Sequence, residues 1–243
     1  MSSLALVDAT TYVHGYDLTT DLNQIALNLS VEDQENTTFG SGGFRSRVGG
    51  LKNVDADLSG FWQSATVDAI DPQAFANLGV ADRVVTMSPT GAAGSTAYLF
   101  QAGQFSYELL GSIGEVTPFS VSMMGTNGVG LVRGQIAKAK GSVNATGATG
   151  SGVALGNVAA GQYLYAALHV MGTPGTTMTA LVESDDSAGF ASATTRITFP
   201  AITTAGGFWG VRLAGALAET HYRFRISAIT GTFTIAGAIG IGS

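Results

Sequence analysis

Apolar and polar side chains alternate along much of this chain, and the alternation is clearest in residues 221–228. There one face is apolar and the other polar, with Tyr222, Phe224, Ile226 and Ala228 against His221, Arg223, Arg225 and Ser227. A period of two is the signature of a β-strand with one buried face. The segment is therefore predicted to be a half-buried strand.

The same alternation predicts strands in both halves of the chain, separated by clusters of Gly, Ser and Thr. In the first half the predicted strands are residues 24–31, 53–63, 83–87, 96–101, 104–110, 117–124 and 131–137. In the second half they are residues 178–182, 196–199, 209–213, 221–228 and 233–241. Short strands at such regular spacing are typical of an antiparallel β-sandwich.

One helix is predicted, over residues 71–79. Asp71 can cap the first amides, and Pro72 suits the first helical position because its missing N–H needs no partner there. Phe75 and Leu78 are three residues apart and share a face, which we expect to cover a sheet. Gly79 can adopt the left-handed conformation that ends a helix.

A small, polar segment at residues 141–152 divides the chain, and its Gly, Ser and Thr content is typical of a linker or domain-joining loop. We therefore predict two domains, residues 1–141 and 142–243. Each has about 100 residues or more, which is enough for a hydrophobic core of its own.

Residues 32–52 lack any clear periodicity, and loops longer than about 12–15 residues are usually functional or disordered. Acids come first and bases later, with phenylalanines beside glycines between them: Glu32, Asp33, Glu35, then Phe39 and Phe44, then Arg45, Arg47 and Lys52. One interpretation is a solvated, flexible loop. The other is an arm that docks on a neighbouring subunit, since Phe and Arg are frequent interface anchors and opposite charges can pair across copies.

Composition narrows the class of protein. Charged residues make up 12% of the 243 residues and hydrophobic residues 45%, which does not suit a disordered chain. The absence of cysteine excludes a disulfide scaffold and a thiolate zinc site. The mean hydropathy of +0.28 is high, yet no run of about 20 apolar residues is present to span a membrane, and the N-terminus does not resemble a secretory signal. We therefore expect the apolar excess to be buried between subunits.

The net charge of −6 lies entirely in residues 1–140, which hold 13 acids and 7 bases, whereas residues 141–243 are neutral. An acidic balance argues against a broad basic face that grips nucleic acid. Within the acidic half, Asp55 and Asp57 project from one face of a predicted strand, together with Ser59. This pair has three interpretations: a solvated sheet face, a calcium site, or an acidic wall formed by repetition around a ring.

Motifs for catalysis or cofactor binding are weak. His14, His169 and His221 lack metal-site spacing, and neither a G-x-S-x-G elbow nor a phosphate-binding loop occurs. Two G-x-G-x-x-x-G stretches, at residues 128–134 and 150–156, miss the dinucleotide fingerprint by one residue and lie at no strand-to-helix junction. We expect no catalytic residue, no metal and no cofactor, and we expect His169 to be a hydrogen-bonded core or interface histidine.

Several segments resemble tail tube proteins of long-tailed bacteriophages. They are Asn36-Thr37-Thr38-Phe39-Gly40, the strand from Gly50-Leu51-Lys52 to Leu58-Ser59-Gly60-Phe61-Trp62, and residues 114–122. Residues 182–187, 195–200 and 223–226 resemble the β domain at the end of many such proteins. One departure is Val182-Glu183-Ser184, where that domain often has Gln-His-Ser.

The resemblance implies an all-β fold with one short helix, in which a tail-tube-type sandwich or barrel domain precedes an antiparallel sandwich domain that faces outward. Family members form hexameric rings that stack into a tube within the virion, assembled in the host cytoplasm. Partners would be copies of the chain, other tail proteins, and DNA that passes without specific binding, with no membrane. The loop would reach the adjacent ring through Glu32, Glu35, Phe39, Phe44, Arg45, Arg47 and Lys52, and Asp55 and Asp57 would line or flank an acidic lumen.

Two other functions are compatible with a Gly- and Thr-rich β protein. One is a different virion component, such as a capsid decoration or head-surface protein. The other is a carbohydrate-binding β-sandwich module, which needs exposed aromatic side chains on a concave face. Trp62, Trp209 and Tyr222 fall mostly on predicted core faces, which counts against the module.

Overall fold

A computed structural model describes residues 6–66 and 69–243, and these residues form sixteen strands and one short helix. The elements of the first half are β1 (Thr10–Val13), β2 (Tyr16–Asp17), β3 (Leu22–Glu35), β4 (Arg47–Phe61), α1 (Ile70–Ala76), β5 (Arg83–Ser88), β6 (Thr96–Leu109), β7 (Pro118–Gly125) and β8 (Val132–Val143). Those of the second half are β9 (Gly147–Ala154), β10 (Tyr163–Met171), β11 (Thr177–Asp185), β12 (Thr194–Thr198), β13 (Gly206–Trp209), β14 (Leu213–Ala214), β15 (His221–Thr230) and β16 (Phe233–Gly242). The prediction of an all-β chain with one short helix is confirmed.

The centre of the molecule is a nearly closed antiparallel barrel, with strands in the order β13-β10-β16-β8-β6-β5-β1-β2. Its ends meet where β10 packs against β2 and β5. Val84, Leu99, Ile136 and Tyr165 fill the interior among small alanines. Since β8 pairs with β6 on one edge and β16 on the other, strands from both halves of the sequence build this barrel.

A four-stranded sheet in the order β3-β4-β7-β6 packs on one side of the barrel. It exists because β6 is one long strand, whose first half pairs with β5 and β8 and whose second half pairs with β7. The core between sheet and barrel contains Leu58, Phe100, Val121 and Met123. The alternation predicts two strands here, 96–101 and 104–110, which are one continuous strand in the structure.

The helix differs in detail from the prediction. It buries Ile70 and Ala74, whereas Phe75 and Leu78, the expected buried pair, are exposed. Ala69 rather than Asp71 precedes the first turn. The Asp71 carboxylate instead accepts a hydrogen bond from the Tyr107 hydroxyl at 2.8 Å, which ties the helix to β6.

A second sheet, in the order β12-β11-β15-β9, covers the opposite side of the barrel. Tyr222, Phe224 and Ile226 of β15 are buried against Leu164 and Ile235 of the barrel strands. The alternation predicted for residues 221–228 is therefore confirmed as far as Ser227, whereas Ala228, expected on the buried face, is exposed beyond a shift in the register between β11 and β15. The sandwich expected for the second half is present, and one of its two layers is the barrel itself.

Two segments expected to be irregular are largely strand. Residues 141–152 hold the end of β8 and most of β9, so this segment is not a flexible linker. Residues 32–52, expected to be a long loop, hold the outer parts of β3 and β4 and a turn of residues 36–46. The predicted strand 209–213 is interrupted between β13 and β14. No helix in the described part of the chain is long and apolar enough to cross a membrane.

Candidate functional site: a projecting arm and an acidic sheet face

The β3–β4 hairpin extends well beyond the body of the protein. We call residues 28–53 the arm, because almost every residue in this range is exposed. Eight residues of β3 lie in the arm, which gives it a length of about 25 Å. Since α1, β5 and the barrel contact only the base of the hairpin, the arm is a two-stranded ribbon without a covering layer.

Local hydrogen bonds shape the tip of the arm. The Asn36 amide donates to the Ser46 carbonyl at 3.0 Å, and the Ser46 amide donates to the Thr37 hydroxyl at 3.0 Å. Gly42 and Gly43 have φ values of +62° and +86°, a conformation that glycine adopts without strain. The tip is thus a defined turn that holds Phe39 and Phe44 outward.

Large apolar side chains lie exposed along the whole arm: Leu29, Val31, Phe39, Phe44, Val48 and Leu51. Phe39 is fully exposed, and Phe44 is 81% exposed. Several large apolar side chains exposed on one segment indicate an interaction surface, because burying each of them is favourable by roughly 1.5–3 kcal/mol. An unpaired two-stranded ribbon is also marginally stable by itself, so a docking partner would stabilise it.

The charges expected at the two ends of the predicted loop face one another across the hairpin. Arg47 pairs with Asp33 at 2.5 Å and Arg45 with Glu35 at 3.8 Å. Both pairs are exposed, so each contributes at most about 1 kcal/mol in this conformation and can be exchanged for pairs with another molecule. The Glu32 carboxylate accepts a hydrogen bond from the side-chain amide of Gln34 at 3.4 Å. Lys52 lies opposite Val31 in the β3–β4 ladder.

Asp55 and Asp57 lie on the solvent side of the four-stranded sheet, while Val54, Ala56 and Leu58 are buried on the other side. The Asn53 side-chain amide donates to both carboxylate oxygens of Asp55, at 3.0 and 2.9 Å. The Ser122 hydroxyl donates to Asp57 at 2.5 Å. Within residues 6–66 and 69–243, no group of three or more His, Asp or Glu side chains is placed to hold a metal ion.

Glu108 joins these two aspartates on the same face. It lies opposite Ser120 of β7, which in turn lies opposite Ser59 of β4. We call this surface the acidic face; its polar side chains are Gln24, Asn28, Asp55, Asp57, Ser59, Ser106, Glu108, Ser120 and Ser122. Met124, opposite Asp55, and Phe61 are partly exposed on the same face. Residues 24–28, 55–59, 106–108 and 120–122, which supply the polar side chains, include no Lys or Arg. Glu108 was missed from the sequence because its strand was predicted without a partner, although its alternation with Ser106 was visible.

Both edges of this four-stranded sheet are open in the described chain. β3 pairs only with β4. At the other edge, the second half of β6 pairs with β7, and residues 78–80 cover it only at Gln104. Residues 105–109 of β6 therefore present an unpaired edge, which is a template for strand addition from another chain.

His169 is fully buried in the barrel, as the sequence analysis expected of a hydrogen-bonded core histidine. Burial lowers the pKa of His169 to about 4. His14, at the β1–β2 turn, has its pKa lowered to about 4 by burial and by the positive charge of Arg83. Both histidines lie at the barrel, away from the arm and the acidic face.

No protein-family model and no curated protein matches this sequence. Among solved structures, the chain is similar to one in the virion of the native gene transfer agent particle, with 16% identity and a TM-score of 0.39 over 51% of this chain and 93% of that one. It is similar to a chain of the anti-feeding prophage baseplate, with 11% identity and a TM-score of 0.41; the match covers 55% of this chain and 97% of that one. It is also similar to the SPP1 Dit protein, a phage hub component, with 12% identity and a TM-score of 0.38; the match covers 97% of this chain and 99% of that one.

Proposed function

We propose that this chain is a structural subunit of a bacteriophage tail tube, in which six copies form a ring and rings stack into a conduit for DNA. The observation that carries the proposal is the four-stranded sheet, which has two open edges and an uncovered acidic face. The number six and the phage context come from the resemblance of residues 36–62 to tail tube proteins. The role needs no catalytic residue, cofactor or metal.

Ring closure follows from the two open edges. The free edge of β3 in one copy can pair with residues 105–109 of β6 in the next, so that the sheets of all copies join into one barrel. Closing a sheet in this way removes its exposed edges, which otherwise promote aggregation. The barrel and the second sheet lie behind the four-stranded sheet, so the bulk of each subunit is outside and the acidic face lines the channel.

The acidic face suits a channel for DNA. Asp55, Asp57 and Glu108 repeat around the ring, and their summed field repels the phosphate backbone more strongly than one subunit could. DNA then slides without binding. The second sheet, on the far side of the barrel, faces outward in this arrangement, and we retain residue 142 as the proposed border between the ring-forming part and the outer part.

The arm provides the contact between rings. Phe39 and Phe44 at its tip would be buried against the adjacent ring, together with apolar side chains along the ribbon. Glu32, Glu35, Arg45, Arg47 and Lys52 would exchange their present contacts for partners across the interface. Other tail proteins would meet the same surfaces where the stack ends.

Shortening the arm tests this proposal. Leu29 and Val54 are ladder partners, so residues 30–53 can be replaced by Asn-Gly, a two-residue turn that preserves the hairpin. By electron microscopy and size-exclusion chromatography, the wild type is expected to form stacked rings and the shortened variant to form single rings. Wild-type protein that remains monomeric contradicts the proposal. Wild-type rings that never stack contradict the tube and favour a ring at one end of a tail.

A further inference from the structure

An apolar groove with a volume of about 160 Å³ opens beneath β3. Its walls include Leu6, Ile25, Leu27, Met87, Pro89 and Tyr98. Ile25 and Leu27 point away from the acidic face, because they pair with Leu58 and Ala56 on the buried side of the sheet. The groove therefore lies on the core side of the sheet, directly under the open edge of β3.

A matching apolar projection lies at the opposite edge of the same sheet. Phe75 is 75% exposed, and Leu78 and Val80 are 51% and 42% exposed. Gln104 of β6 fixes the position of this projection through two contacts. The Gln104 side-chain amide donates to the Ala74 carbonyl at 2.7 Å, and Leu78 forms a β-bridge with Gln104. The helix buries Ile70 and Ala74 in the core that the groove residues also border. The projection is thus on the core side of the sheet too.

The groove and the projection are arranged to meet between neighbouring copies. When the β6 edge of one copy continues into the β3 edge of the next, features on the core side at those two edges become adjacent. Phe75 and its neighbours then face Ile25 and Leu27 of the next copy. A cavity of roughly 150 Å³ lined by apolar side chains accommodates a benzene ring, so the groove has the size for one phenyl group.

We propose that Phe75 of one subunit inserts into the groove beneath β3 of the next subunit in the ring, with Leu78 and Val80 sealing the contact. This inference rests on the proposed function and names the second layer of the ring interface, behind the shared sheet. The contact is head-to-tail: each copy offers a projection at one edge and a groove at the other. Such an interface closes into a ring when the rotation between copies permits closure.

Two single substitutions block the interface from opposite sides. Phe75→Asp removes the projection and leaves the groove intact. Ala9→Trp fills the groove, which Ala9 also lines, and leaves the projection intact. Val211→Asp is the matched control, because Val211 is 82% exposed in the second half of the chain and distant from both edges. Thermal unfolding establishes that each variant is folded.

Sedimentation of the variants, alone and mixed, distinguishes a head-to-tail contact from general loss of assembly. Each blocked variant alone is expected to lose ring formation, and Val211→Asp is expected to form rings like the wild type. An equimolar mixture of Phe75→Asp and Ala9→Trp retains one competent interface per pair and is expected to give dimers but no rings.

Different results would contradict the groove contact and the proposed function. Normal ring formation by folded Phe75→Asp overturns the groove contact while the proposed function stands. Folded blocked variants whose mixture gives no dimer also overturn it. Wild-type protein that forms no rings under any condition contradicts the proposed function itself.

Discussion

The imidazole of His169 donates a hydrogen bond from Nδ1 to the backbone carbonyl of His14 over 2.7 Å, joining β10 to the β1–β2 turn. Because a carbonyl only accepts, Nδ1 carries the proton, and Nε2 accepts from the Thr86 hydroxyl at 2.8 Å. Both ring nitrogens are thus satisfied in the neutral form. The contact lies where β10 packs against β2 and β5 to close the barrel, and it connects the two halves of the sequence.

Stability is expected to fall as the pH is lowered through the range in which only the unfolded chain takes up protons. The pKa values of His169 and His14 are lowered to about 4, against an ordinary value of about 6.5. Above about pH 6.5 both histidines are neutral in both states. As the pH falls from about 6.5 to about 4, they take up protons only in the unfolded chain, so the free energy of unfolding decreases progressively. For the fully buried His169 this amounts to roughly 3 kcal/mol. Urea unfolding at several pH values measures it.

His169→Gln provides the control for this pH dependence. Glutamine does not titrate, so the variant is expected to be less stable at neutral pH but to lose less free energy of unfolding between pH 6.5 and 4. Identical pH profiles for the variant and the wild type would show that His169 is not the titrating group.

The second sheet contains a buried carboxylate whose removal is expected to be costly. Glu183 is 5% exposed and accepts hydrogen bonds from Arg223 at 3.1 and 3.0 Å and from Arg225 at 3.4 Å. Glu183→Gln removes the negative charge that pairs with Arg223 in a largely buried site, at an expected loss of about 3 kcal/mol. Arg225→Gln, which removes a more exposed partner, is expected to lose less than about 1 kcal/mol. Equal losses in chemical unfolding would contradict this assignment.

A positive charge on the acidic face is expected to make assembled tubes bind DNA. Asp57→Lys introduces that charge at an exposed position beside Ser122. Asp186→Lys makes the same change in net charge at an exposed position directly after β11. Co-sedimentation with duplex DNA at low salt should be stronger for Asp57→Lys, and it should weaken as salt is raised. Similar retention by both variants would indicate that the acidic face is not the channel wall.

The tip of the arm is expected to act in stacking and not in folding. Phe39→Ser and Phe44→Ser change exposed side chains, so each should alter the free energy of unfolding by about 0.5 kcal/mol or less. Tube length in negative-stain micrographs should nonetheless fall markedly. Val211→Ser, at another exposed apolar site, serves as the control. Tubes of normal length from both Phe variants would exclude the tip from the interface.

The alternation of side chains was a reliable guide to the strands that have one buried face. It identified β15, and it placed Asp55 and Asp57 opposite a buried Val54 and Leu58, because these positions depend only on local period. It failed where the chain is apolar on both faces. β10 lies between two cores, so it shows a continuous apolar run with no alternation.

The arm shows a different limit of sequence analysis. Residues 32–35 and 47–52 form a ladder although neither face is buried, so no hydrophobic period marks them. Their pairing continues the ladder that begins in the buried strand segments at the base of the hairpin. The open edges and the groove beneath β3 were likewise beyond sequence analysis, because they depend on which distant strands become neighbours.

A cryo-electron microscopy reconstruction of the assembled protein tests the central claim most directly. The account predicts stacked sixfold rings around a hollow channel, with Asp55, Asp57 and Glu108 on the inner wall and the β3 edge of each subunit paired with β6 of the next. Assemblies in which the acidic face is turned outward, or a protein that remains monomeric at high concentration, would contradict it.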